Sequence, residues 1–150
     1  MIKNKVMKAD ELMIGDWVEP DQCMIPIVYC KILGIYPDGT VNIDKAERLF
    51  TLDELHPIPL APEILEKNGF KKNKTGQLVI EKKHSIGCCG QTCDNTNPLE
   101  YAVWWDEFGL GCVSYLYKEG DVTLCGTTYV HQLQQILRFF DLDKFIKIEL

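Results

Sequence analysis

The segment Ala61-Pro-Glu-Ile-Leu-Glu-Lys-Asn-Gly-Phe70 holds both a helix start and a helix stop within one short stretch. Pro62 suits the first helical position, where its missing N–H breaks no hydrogen bond. Glu63 lies beside the positive end of the helix dipole. Gly69 stands where a helix ends in a left-handed residue, and Phe70 can then fold back on Leu65. This helix is held to two turns. It separates a β-rich stretch before it from a mixed stretch after it.

Before the helix, turn signals cut the chain into short pieces. In Glu11-Leu-Met-Ile-Gly-Asp-Trp-Val18 a tight turn at Gly15-Asp16 leads into a strand. The run from Ile25 to Tyr36 is rich in β-branched and apolar residues. Pro37-Asp-Gly39 is a turn: proline presets φ, aspartate bonds locally and glycine accepts positive φ. Thr40–Ile43 alternates with period two, Arg48–Leu52 reads as another short strand, and Asp53–Leu55 suits one helical turn before His56-Pro-Ile-Pro59. Several short strands with tight turns and a late single turn predict a small bent β module over residues 1–58, of the SH3-like barrel type. A plain meander is the alternative.

Residues 59–150 predict an α+β module. A strand is expected over Gln77–Glu81 and a long loop from His84 to Pro98. Glu100–Trp105 and Gly111–Tyr117 form a hairpin around Asp106-Glu-Phe-Gly109, with Tyr101, Val103 and Trp105 matched to Val113, Tyr115 and Tyr117. Val122–Cys125 is a further short strand. A longer helix spans Tyr129 to Phe140, with Thr128 as its N-cap and Tyr129, Val130, Leu133, Ile136, Leu137 and Phe140 on its apolar stripe. His131, Gln132, Gln135 and Arg138 fall off that stripe. The tail Phe145–Leu150 alternates as a terminal strand would. The expected whole is an SH3-like module packed on an antiparallel sheet with one short and one longer helix, either as two domains or as one compact unit.

Composition limits the functions open to such a chain. It has 150 residues, 46% hydrophobic and 25% charged, enough apolar material for a packed core. Sixteen basic residues against twenty-two acidic give a net charge of −6, which opposes binding to nucleic acid or anionic membrane over the whole surface. The N-terminal residues carry lysines but no apolar run behind them, so no secretory leader is readable. Met24–Tyr36 is too short to span a membrane. Seven cysteines cannot all pair within one chain, and reduced thiols in a cytoplasm are the expectation.

Three phrases together resemble a family. Glu11-Leu-Met-Ile-Gly-Asp-Trp-Val18, His56-Pro-Ile-Pro-Leu-Ala-Pro-Glu-Ile-Leu-Glu-Lys-Asn-Gly-Phe70 and Tyr129-Val-His-Gln-Leu-Gln134 are similar to phrases in small Bacteroides-type proteins of prophage and mobile-element surroundings. Those proteins carry ELRIGN, PIPLTPEILEKNGF and YVHQLQNLYFALTG. The resemblance implies a mobile-element setting and no particular activity. The cysteine loop of this chain is not part of the family pattern.

His84, Cys88, Cys89 and Cys93 offer one imidazole and three thiols, a donor set of the kind zinc takes, with Cys112 or Cys125 as a further ligand. The paired C-x-x-C spacing is missing, and ordinary reduced thiols are the preferred reading. No cofactor is implied. His131 is expected on the surface, and Asp106-Glu107 as solvated turn residues. No nucleophile elbow, phosphate loop or dinucleotide-binding pattern is present. Lys71, Lys72, Lys74, Lys82 and Lys83, with Trp104 as a stacking face, are the candidate nucleic-acid contacts. Lysines at strand ends more often keep sheet edges soluble. The ranking that follows places a non-enzymatic interaction protein first, with an unknown protein partner and a homodimer through sheet edges as one form. A weak nucleic-acid binder comes second, and a zinc- or thiol-dependent enzyme third.

Overall fold

The computed structural model describes residues 6–21, 29–83, 99–106, 111–115, 121–124 and 127–150. The fold is α+β, with two antiparallel sheets and two helices. The chain forms two compact units: Met1–Leu60 together with Thr128–Leu150, and Ala61–Thr127.

The first unit contains strands β1 (Trp17–Pro20), β2 (Cys30–Ile35), β3 (Val41–Ile43) and β4 (Leu55–Pro57), in the order β3-β2-β1-β4. Gly15, at φ 89°, turns the chain into β1. The β2–β3 turn forms as its residues require: Gly39 has φ 84°, and Asp38 Oδ1 accepts from the Thr40 N–H and hydroxyl. The strand expected at Arg48–Leu52 is reduced to one bridge, Phe50 to Val41. A 3-10 turn at Leu52–Glu54 follows, and β4 then returns to pair with β1. No closed barrel is found among the described residues. Met7, Leu12, Val18, Ile32, Val41, Ile43, Phe50 and Leu55 form the core of this sheet, with Cys30 among them. Burial raises the pKa of the Cys30 thiol, keeping it protonated.

The longer helix, α2 (Val130–Phe139), belongs to this same unit and packs on β1. Its sequence position groups it instead with residues 59–150. Backbone pairing explains the difference, because Leu60 N–H donates to Thr128 O and Val130 N–H to Ile58 O. The helix begins one residue later than expected, with Tyr129 at the N-cap. Gln132 serves the end, its Oε1 accepting from the N–H groups of Thr128 and Tyr129. The tail keeps the predicted alternation, with Ile146 and Ile148 buried, but pairs into no strand. Its anchor is the Trp17 indole, which donates to Ile148 O at 2.8 Å.

The second unit contains α1 (Pro62–Lys67), β5 (Lys71–Lys72), β6 (Leu78–Lys83), β7 (Leu99–Trp105), β8 (Gly111–Tyr115) and β9 (Asp121–Leu124). Its strands lie in sequence order across the sheet. The helix stop forms as expected: Gly69 has φ 92°, Phe70 N–H donates to Leu65 O and Gly69 N–H to Glu66 O. The predicted hairpin is present, pairing Tyr101 with Tyr115 and Val103 with Val113. Leu65, Phe70, Leu78, Val103 and Trp105 are buried.

Candidate functional site

Asp16 is the most constrained polar group among the described residues. Its side chain is fully buried, so its charge needs partners. Arg138 Nη1 donates to Oδ1 at 2.6 Å, while Gln135 Nε2 and the Met13 N–H donate to Oδ2 at 2.7 and 2.9 Å. Gln134 extends the contact: it donates to Gly15 O and accepts the Trp17 N–H. Three polar side chains of α2 thus complete the hydrogen bonds of the turn that opens β1. Gly15 permits the approach, since a Cβ there would lie 3.1 Å from Arg138 Nη2.

With both oxygens of Asp16 hydrogen-bonded, the network holds α2 and the turn in position. It fixes what α2 and the turn present outward. Phe139, the residue after Arg138, is 84% exposed, and Ile14, beside Gly15, is 66% exposed. Phe139 meets Phe140 edge to face at 5.1 Å. The signal for Phe139 was in the sequence, since an aromatic residue there falls off the apolar stripe of the helix. The partner of Arg138 had no such signal.

His131 is buried, with 2% of its surface exposed, and stacks on Tyr129. This corrects the surface position expected for it. The helix is covered over a wider arc than its apolar stripe indicated, because Gln134 is buried as well. His56 on β4 meets Asp21 through Nε2, a contact between residues far apart in sequence.

The expected lysine surface divides. Register places Lys71 opposite Val79, and Val79 opposite Trp104, so Lys71 and half-buried Trp104 share a row on one face. Lys72 pairs with Leu78 and belongs to the opposite face. Lys74 is exposed in the β5–β6 turn, and Lys82 and Lys83 end β6. The pleat therefore sets Lys72 on the face opposite Trp104.

His84, Cys88, Cys89 and Cys93, with Cys125 and Glu107, lie outside the described residues. Among the described residues no group of three or more His, Cys, Asp or Glu side chains could hold a metal ion. No described helix is long and apolar enough to cross a membrane. No protein-family model matches the chain, and neither a curated protein nor a solved structure matches it.

Proposed function

We propose that this chain is a non-enzymatic interaction protein, an accessory component of the mobile-element kind its sequence resemblance implies. Its partner docks on the outer face of α2. The observation that carries this reading is Phe139, an aromatic side chain 84% exposed on a helix pinned next door by Arg138 to buried Asp16. Aromatic side chains supply much of the energy of protein interfaces. One that is already held in place loses little freedom on binding. Ile14, also exposed, stands on the turn closed by the same network.

An SH3-like identity for the first module suits this role. Its support is topological: β4 follows a 3-10 turn and returns to the free side of β1, while Phe50 extends the far edge at β3. Fold alone carries no function, so the proposal rests on the side chains.

The test is affinity capture from the source cell lysate, with and without nuclease, using the native chain and Phe139→Ser. A protein that survives nuclease and is lost with Phe139→Ser is the expected result. Capture that depends on nucleic acid, or that Phe139→Ser leaves unchanged, overturns the reading.

A further inference from the structure

The segment Phe145–Leu150 lies on the first unit without joining its sheet. From Phe145 to Glu149 exposed and buried residues alternate, with Ile146 and Ile148 covered and Lys147 and Glu149 open to solvent. The Trp17 indole donates to Ile148 O at 2.8 Å, and Lys31 Nζ meets the Glu149 carboxylate at 3.1 Å. Lys31 also lies over the Trp17 ring, 4.6 Å from its centre, so one lysine joins the indole to the acidic end of the segment.

These are the contacts by which a groove reads an extended peptide: a donor fixed on a main-chain carbonyl, alternate side chains taken in, and a charge that sets the register. The fold supplies the groove independently of its occupant. Trp17 on β1 and Lys31 on β2 stand opposite each other, the Trp17 N–H donates to Gln134 Oε1, and the Lys31 N–H donates to Asp44 Oδ1. The occupant is held lightly, with no strand ladder and an exposed ion pair that contributes little. It also fits the groove incompletely. Beside it the protein atoms leave a cavity of about 210 Å³, lined by Gln134 and Leu137 of α2 and by Ile146 and Ile148. Side chains that face such a space forgo van der Waals contact. A second copy of this chain would bring the same residues and leave the same space, whereas a bulkier apolar residue would fill it. We propose that this groove receives an extended segment of a partner protein with the pattern apolar-x-apolar-acidic, one apolar residue being larger than isoleucine, and that Phe145–Leu150 occupies the groove until it is displaced. The proposal rests on none of the contacts assigned to Phe139.

The test follows the Trp17 indole N–H resonance of the isotope-labelled full chain. Ile146→Ser combined with Ile148→Ser should release the segment and shift this resonance, and a capped Phe-Ile-Lys-Ile-Glu-Leu peptide should return it saturably. The native chain should need about tenfold more peptide, because its own segment competes from within the chain. A peptide with serine at both isoleucines should have no effect, and one with phenylalanine at either isoleucine should bind more tightly than the parent. Should the double serine variant fail to fold, Lys31→Glu replaces it and should prefer a peptide with lysine in place of glutamate by about fivefold, the scale of exposed charge pairs. No saturable return, an equal response by the native chain, equal binding of the serine peptide, no gain from phenylalanine, or no preference by Lys31→Glu overturns the proposal.

Discussion

The two units solve the same packing problem with different stretches of chain. Ala61–Thr127 is continuous, and its five strands lie side by side in sequence order. The other unit joins Met1–Leu60 to Thr128–Leu150, with the second unit's whole sequence intervening. A meander brings strands together through short loop closures. A unit assembled from two distant stretches needs contacts specific enough to choose the right partner. In this protein those contacts are polar: Asp16 with Arg138 and Gln135, Gln134 with Gly15 and Trp17, and the Trp17 indole with Ile148 O. The continuous unit relies on an apolar anchor at its helix, Leu65, with no exposed surface.

The largest effect expected from breaking this contrast is on the apolar side. Leu65→Ala should lower stability by about 4 kcal/mol, within the usual range for a large-to-small change at a buried site. Urea denaturation measures the loss. Amide exchange should accelerate first in β6 and β7. Asp16→Ala should cost about 3 kcal/mol, because it strips the charge partner from Arg138 and leaves the Gln135 amide and Met13 N–H without their acceptor. Its faster exchange should appear in β1 and α2. If Asp16→Ala left the α2 amides as protected as before, the polar network would not be what holds the helix.

A smaller effect sharpens the local side of the comparison. Gly69→Ala should cost about 1 kcal/mol, since alanine is strained at a φ of 92°. Space does not forbid the methyl group, whose nearest neighbour would be Ile80 Cδ1 at 3.6 Å. Thermal unfolding of this single variant checks the figure.

The smallest effect is pH dependence at the 3-10 turn of the first unit. Arg48 donates two hydrogen bonds to the Glu54 carboxylate, and the Thr51 N–H adds a third. Chiefly through Arg48, these lower the Glu54 pKa from 4.5 to about 2. A depressed carboxylate pKa contributes stability that is fully present above the unfolded value and is lost as pH falls toward the folded one. Solvent screens this exposed pair, so the contribution is slight. Comparing Glu54→Gln with the native chain, the stability difference should shrink between pH 4.5 and 2. A difference constant across that window refutes the assignment.

Several features were legible in the sequence because neighbouring residues decide them. The turn at Gly39 and the stop at Gly69 depend on which residues accept positive φ. The hairpin of β7 and β8 followed from alternation. The surface of the Ala61–Thr127 unit was less legible. Pro62 and Glu66 on α1 and Trp105 and Asp106 at the end of β7 lie far apart in sequence, and only the folded chain brings them to one cleft. The lysines illustrate the opposite outcome, since neighbours in sequence such as Lys71 and Lys72 belong to opposite faces.

The sequence by itself determined that the chain would be α+β and where the Gly39 turn and the Gly69 helix stop fall, because these depend on φ preferences and apolar period within a few residues. Tertiary structure alone decided that α2 joins the N-terminal sheet, that His131 is buried and that Asp16 has Arg138 as its partner. A buried carboxylate must find a donor, and Asp16 does not specify which one. That choice is made by the packing of distant segments, which no local pattern records.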